Sequence, residues 1–332
     1  MGEYACEYTP TENDDIVHKL NDVSLTIIDN EPIEEFLHVV TVHINPCRFK
    51  RRAYLSRRFR EEMEKTPRVK LYICELAYDN DPFEVTKKYN KRHLQLRTDR
   101  KNQIWSKENC INLAVEKLLP SDYKAFAWID GDVVFDNAVD WSIYTLKILN
   151  GYKDIVQLFS ICLDLNKKGD TMTAYHSFGY QYENRQKYSR TNNNFSHTGF
   201  AWAVTRRFYE NCMQKLMQYE VLGSADYRIS LALLNRDCLT YSDKHKQLYD
   251  ELRERIKYAR IGYVPVVISH LFHGSKANRK YNSRYLQLIK HRFDPDLMLD
   301  TDENGLLVPS KHFPKELSRY IRTHFCERLE DE

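Results

Sequence analysis

The feature that most limits the fold of this chain is the alternation in its first half. LHVVTVHI (37–44), VKLYICELAY (69–78), HLQLRT (93–98) and AFAWID (125–130) are apolar, strand-like runs. Between the first two lies CRFKRRAYLSRRFREEMEK (47–65), which has helical periodicity and a charged face. Before the fourth lies SKENCINLAVEKLLP (106–120), with Ser106 as N-cap, apolar residues at 111, 113, 115 and 118, and Pro120 as its stop. Strand, helix, strand in succession predicts a parallel sheet with crossover helices. Near-continuous apolar runs fit strands covered on both faces. Ligands of such sheets sit beyond the carboxyl ends of the strands. Asp130 and Asp132 fall at one of these ends.

The flanking regions are patterned differently. Residues 1–36 are acidic and weakly periodic, an N-terminal arm with a short strand expected in VSLTIID. In the second half, DIVQLFSICLDL (154–165) reads as one strand, 166–196 as a polar connection, and FAWAVTR (200–206) as a strand entering a helix from Arg207 to about Tyr219. LGSADYRISLALLN (222–235) reads as a loop entering an amphipathic helix, 243–258 as a charged helix, and IGYVPVVISHLFHG (261–274) as a strand ending in a His-bearing loop. With no internal repeat, low-complexity tract or linker, residues 37–310 read as one domain, followed by a helical tail at 311–332.

Composition excludes several classes. Fifty Lys and Arg against 47 Asp and Glu leave a net charge of +3, which gives no support for a nucleic-acid or membrane-surface partner. No apolar run approaches the ~20 residues of a membrane span. The N-terminus lacks the apolar core of a signal peptide, and Cys6 stands where a myristoylation signal has Ser or Thr. The eight cysteines are scattered without a C-x-x-C pair, as expected of buried free thiols in a reducing compartment. A cytoplasmic location is therefore expected. The 23 tyrosines fill half-buried positions or stack on bases and sugars.

Four segments carry candidate chemistry. In WIDGDVVF, Asp130 and Asp132 flank Gly131 directly after a buried-type strand. D-G-D also occurs in plain turns, but carboxylate oxygens bind hard divalent cations. A cation on a diphosphate neutralises part of its charge and helps it leave, and Gly131 lets phosphates approach the backbone. In ISHLFHGSKANRKY, His270 and His273 follow a strand. A lone His is ordinarily a hydrogen-bonded core residue; here an imidazole beside Gly274 and the cations Lys276, Arg279 and Arg284 fits a metal–diphosphate site, His273 more so than His270.

In LGSADYRIS, Asp226 sits at a loop–helix junction, as an N-cap or as a general base for an attacking hydroxyl. In SHTGFAWAVTRR, His197, Thr198 and Gly199 allow close approach of a sugar, and Trp202 stacks on one or packs in the core. Arg97, Trp105, Lys107, Glu108, Asn109 and Asn112 gather before and on the helix leading to the DGD strand, as nucleotide contacts or as solvated surface. Glu75 is a candidate for reading the base.

LRT, IWSKENCINLAVEKLLP, WIDGDVVF, HTGFAWAVTRR, LGSADYRIS, HLFHGSKANRKYNSR and FDPDLMLDTDENGLL occur in this order between about residues 39 and 308. The ordered set resembles the family 2-like glycosyltransferases of the GT-A fold, especially a poorly characterised group of bacteria and large DNA viruses. The resemblance implies a GT-A (Rossmann-like) α/β fold: a mostly parallel central sheet flanked by helices, in a single domain. It places a nucleotide-sugar-binding half at 37–140 and an acceptor and catalytic half at 141–310. It also implies a nucleotide-sugar donor (UDP-linked before GDP-linked), Mn2+ or Mg2+, inversion at the anomeric carbon, and a hydroxyl of a glycan or glycoprotein as acceptor. A viral source would place the work in the host cytoplasm. By position, Asp130 and Asp132 match the metal-binding D-x-D, His273 the late His that completes the metal site, and Asp226 the base. Many relatives carry two consecutive acids at the base position, whereas Ala225 precedes Asp226 here. Two other classes use such residues: a nucleotidyltransferase or phosphohydrolase, which needs a third carboxylate for which Asp136 is the near candidate, and a carbohydrate-binding protein without activity.

Overall fold

The computed structural model describes residues 27, 29–136, 140–184, 197–281 and 283–332. The chain runs β1 (Leu37–Ile44), α1 (Lys50–Met63), β2 (Val69–Tyr78), β3 (His93–Thr98), α2 (Lys107–Leu118), β4 (Ala125–Ile129), β5 (Val133–Phe135) and α3 (Trp141–Leu149). It continues through β6 (Ile155–Gln157), β7 (Ile161–Leu165), β8 (Thr171–His176), α4 (Phe178–Glu183), β9 (Ala201–Thr205), α5 (Ala225–Leu233) and α6 (Asp243–Ile256). Then come β10 (Ile261–Tyr263), β11 (Val267–His270), α7 (Arg284–Lys290), β12 (Leu299–Thr301), β13 (Leu307–Pro309) and α8 (Lys315–Cys326).

The result is a mixed α/β fold around a seven-stranded sheet in the order β10-β6-β9-β4-β1-β2-β3. Every pairing is parallel except those of β9, which runs against both neighbours. The strand sequences explain why helices cover both faces. Along β2, Tyr72, Cys74, Leu76 and Tyr78 enter one core, with residues of α2, α5 and α6, while Leu71 and Ile73 enter the other, with residues of α1 and α3. β4 divides in the same way, Phe126 and Trp128 against Ala125, Ala127 and Ile129. A strand buried on both sides needs apolar residues at every position.

A second sheet, β5-β11-β7-β8, stands beside the first. It is built from runs that the sequence reads as single strands. Residues 154–165 divide into β6 in the large sheet and β7 in the small one, and 261–274 divide into β10 and β11 in the same way. Leu158 and Phe159, between β6 and β7, are fully buried, so the apolar pattern runs unbroken through the crossing. The connection 166–196 also holds structure: β8 is an exposed-edge strand and α4 a short helix, and residues 185–196 lie outside the described part. The expected helix from Arg207 is short, because Gln214 takes a left-handed backbone (φ 63°). Of VSLTIID, Ile27 and Asp29 are helical, and the remainder lies outside the described residues.

The tail packs onto the body. α8 buries Leu317, Ile321 and Phe325 in a third cluster with Ile104, Val221, Leu222 and Tyr241. Its end meets the β1–α1 loop, where Cys326 Sγ lies 2.7 Å from Cys47 Sγ. No helix among the described residues is long and apolar enough to cross a membrane.

Candidate functional site

One cavity opens at the carboxyl edge of the large sheet, and most of the sequence-derived candidates line it. β4 delivers its residues there. The backbone N–H of Asp130 donates to Phe200 at 2.8 Å, which fixes the turn after β4, and its carboxylate meets Lys107 Nζ at 2.6 Å from the first turn of α2. Gly131 passes close to α1: a Cβ there would stand 3.3 Å from Ser56 Oγ.

Asp132 opens β5, which pairs antiparallel with β11, and its carbonyl accepts from the Leu271 backbone N–H at 2.8 Å. This pairing brings His270 and His273 to Asp132. His273 Nε2 is 2.8 Å from Asp132 Oδ2, His270 Nε2 is 3.8 Å from Oδ1, and the two Nε2 atoms are 3.2 Å apart. The three residues offer ligand atoms all within 4.8 Å of one another. Among the described residues Asp132 Oδ1 is buried without a hydrogen-bond partner, and a buried carboxylate oxygen is costly unless something claims it. Two imidazole nitrogens and one carboxylate oxygen form a donor set that a divalent transition ion fits. Burial alone would raise the Asp132 carboxyl, but His273, His270 and Arg279 outweigh it and hold it far below the usual range. Asp130 stands apart from this trio and is shifted the other way: burial raises its carboxyl, with Lys107 opposing.

Behind His270 is a residue the sequence reading did not select. β7 and β11 run parallel with His270 paired to Asp164, and Asp164 Oδ1 lies 2.6 Å from His270 Nδ1. The same carboxylate holds Lys276 at 2.6 Å, and Lys276 also donates to the Tyr175 hydroxyl. The signal for Asp164 was present in FSICLDL, where an acid stands alone in an apolar strand and so needs a partner.

Asp226, in the first turn of α5, forms part of the cavity wall. Gly199 gives these side chains their room, because a Cβ would come within 2.9 Å of Asp226 Oδ2 and 3.0 Å of His197 Cε1 and one of them would have to shift. The His197 ring stacks on Phe200 with centroids 3.9 Å apart. Burial, followed by the nearby charges of His270 and Lys276, pushes its pKa down to about 3, so the imidazole is neutral near pH 7. Thr198 lines the same wall, and its carbonyl accepts from Trp202 Nε1 at 2.9 Å. Trp105 also lines the cavity, with its ring 3.3 Å from where a Gly223 Cβ would be, and donates through Nε1 to Glu108 at 3.1 Å. Burial lifts the Glu108 carboxyl to about 7.

Six sequence candidates lie away from the cavity, among them Asn109, which donates to Gln218 and to the Gly305 carbonyl. Glu75 accepts from the backbone N–H groups of Glu84, Val85 and Thr86 and anchors that loop. Arg97 donates to the carbonyls of Asp79 and Asp81. Asn112 bonds Leu216, Gln218 and Tyr209 within the core. Trp202 is buried, stacked on Trp128 at 6.3 Å. Asp136 is exposed beyond β5 and does not line the cavity. Arg52 and Arg328, which were not sequence candidates, do line it.

No family model matches the chain, and no curated protein matches it. Among solved structures, one described as a glucose-1-phosphate thymidylyltransferase from Bacillus anthracis in complex with a sucrose is 7% identical, covering 71% of this chain and 89% of that one with a TM-score of 0.35. TarS 1–349 of S. aureus is 11% identical, covering 89% of each chain with a TM-score of 0.29. Both overlays are too loose to bear on activity, which rests on the cavity itself.

Proposed function

We propose that this protein is a metal-dependent glycosyltransferase that moves a sugar, with inversion, from a nucleotide diphosphate donor to a hydroxyl of a glycan or glycoprotein. The observation that carries the reading is the convergence of Asp132, His270 and His273 around a carboxylate oxygen with no hydrogen-bond partner among the described residues, with Asp226 lining the same cavity. Asp132, His270 and His273 would hold the divalent cation. When bound, the cation supplies charge neutralisation to the leaving diphosphate. Two imidazoles suit Mn2+ better than Mg2+, which prefers oxygen ligands.

The chain's own side chains take the remaining parts. Lys276 and Arg279 place positive charge beside the diphosphate. Lys107 holds Asp130 at the turn, next to the donor. Asp226 accepts the proton of the acceptor hydroxyl as its oxygen attacks the anomeric carbon and the bond to the diphosphate oxygen breaks. Neutral His197 and Gly199 leave room for the sugar beside Asp226. Attack at phosphorus would call for a further free carboxylate at the metal. Asp164 is engaged with His270 and Lys276, and Asp136 is outside the cavity.

The test is release of free nucleoside diphosphate from a panel of UDP- and GDP-sugars, a reaction many transferases perform slowly without acceptor. Signal from one donor with Mn2+, abolished by EDTA and lowered at least about 100-fold in Asp132→Ala, is the expected result. Silence across the panel, together with no thermal stabilisation by any donor in Mn2+, would overturn the reading.

A further inference from the structure

The segment that follows α8 reaches the cavity through Arg328. Arg328 lines the cavity, is 9% exposed, and sits 5.5 Å over the Trp105 ring. Its Nε lies 2.9 Å from Glu330 Oε1. The same carboxylate takes Arg52 from α1 at 2.6 Å (Nε) and 2.5 Å (Nη2), and lies 3.7 Å from His273 Nδ1. Glu330 is only 1% exposed. Asp331 accepts from the backbone N–H groups of Lys50 and Arg51 at 3.1 and 2.8 Å, which satisfies the free donors at the start of α1 and pins the segment down. Arg279 donates to His273 and Tyr281, and among the described residues to no carboxylate.

Buried Arg328 and half-buried Arg52 therefore share one carboxylate, Glu330, while half-buried Arg279 stands near Glu330 and Asp132 without a bond to either, so among the described residues here three guanidiniums face two carboxylates and one positive charge is left over. Crowding like charges away from water is unfavourable unless an anion completes the set. Burial, with Arg52 and Arg279 nearby, also pushes the Arg328 pKa down to about 10 against the opposing pull of Glu330. A diphosphate carries the missing charge and presents oxygens in the geometry that guanidinium forks match.

We propose that Arg328 and Arg52 form a second arm of the diphosphate clamp, beside Lys276 and Arg279, and that Glu330 is the positioning residue that holds both guanidiniums in place. This rests on the nucleotide-diphosphate reading above. It makes the C-terminal segment part of the donor site.

The test is titration calorimetry on the full chain in Mn2+, with inorganic pyrophosphate, UDP, GDP and uridine as probes, plus Mn2+ alone. Arg328→Ala is expected to weaken pyrophosphate and both nucleoside diphosphates by a similar factor, roughly 10- to 100-fold. Mn2+ affinity and any uridine binding should stay unchanged. Glu330→Gln should weaken the same three probes several-fold and steepen their loss with salt, because the guanidiniums are no longer held in register. If Arg328→Ala does not fold, Arg328→Lys carries the test: it keeps the charge, loses the fork and binds pyrophosphate several-fold more weakly. Wild-type affinity for pyrophosphate in Arg328→Ala, or in Arg328→Lys where that variant carries the test, would overturn the proposal, as would an equal loss of uridine and pyrophosphate. A wild-type chain that binds no diphosphate at all would instead sink the donor reading, and this proposal with it.

Discussion

At the scale of single residues, the cavity depends on side chains that are absent as much as on those present. Gly199 is the sharpest case. A methyl group there would press on the Asp226 carboxylate at 2.9 Å, a contact closer than side chains tolerate, so Asp226 must move. Gly199→Ala is therefore expected to lower kcat at least tenfold while leaving Mn2+ and nucleoside diphosphate affinities within about twofold, because the metal trio lies on other elements. Equal loss in both readouts would point to a general collapse of the wall. Glu108 makes a pH prediction. Its folded pKa is about 7, above its ordinary value of 4.5, because burial disfavours the carboxylate. The folded chain then holds this proton more tightly than the unfolded chain, so its contribution to stability is full below about pH 4.5 and declines as pH rises towards 7. Glu108→Gln should flatten that part of the curve, by at most about 3 kcal/mol at neutral pH. Urea denaturation of both proteins at pH 5 and pH 7.5 checks it, and parallel curves would refute it.

Whole elements explain how residues distant in sequence meet, and why some of this was legible in advance. The alternation of apolar strands and amphipathic helices to residue 130 follows from burial on both faces of a parallel sheet, so the first half could be read directly. Asp130, Asp132, His270, His273 and Asp226 were legible because each stands in a local pattern, just beyond an apolar run or at a helix start. Asp164 showed in sequence only that it needs a partner and not which one, since that partner is 106 residues away and the meeting depends on β7 and β11 pairing in register. The breaks between β6 and β7 and between β10 and β11 were hidden because the chain stays buried while changing sheets. Exposed β8 has too few apolar residues to show a period. Asn112 and Trp202 carried polar or aromatic signals that the core absorbs through hydrogen bonding and stacking. The β7–β11 pairing has a measurable consequence. Asp164 fixes the Nδ1 side of His270, which leaves Nε2 aimed at Asp132, the arrangement in which an outer carboxylate orients a metal-binding imidazole. Asp164→Asn is expected to weaken Mn2+ binding about 10- to 100-fold in calorimetry without donor, with the melting temperature of the metal-free protein shifted by only a few degrees. Unchanged Mn2+ affinity would leave Asp164 a purely structural residue.

For the molecule as a whole, the question is whether residues 311–332 are an appendage or part of the body. Sequence alone sets them outside the domain, because α8 is separated from the patterned region by a turn and is largely polar. Its packing says more: Leu317 and Ile321 are fully buried and Phe325 nearly so, in a cluster that also takes in Ile104 just before α2 and Val221 and Leu222 just before α5. These two approaches lead to Trp105 and Asp226, so the helix supports both stretches that bring these residues to the cavity. Burying three such side chains contributes roughly 1.5–3 kcal/mol each, against a net stability of about 5–15 kcal/mol for a typical domain. Deletion of 311–332 is therefore expected to remove a large share of the stability, seen as a drop in the urea midpoint or as loss of a cooperative transition. Leu317→Ala alone should cost about 2–5 kcal/mol. A truncated chain that unfolds at the wild-type midpoint would show that the body stands without α8. In that case the same chain, lacking Arg328 and Glu330, would still have to lose pyrophosphate binding if the C-terminal segment is part of the donor site.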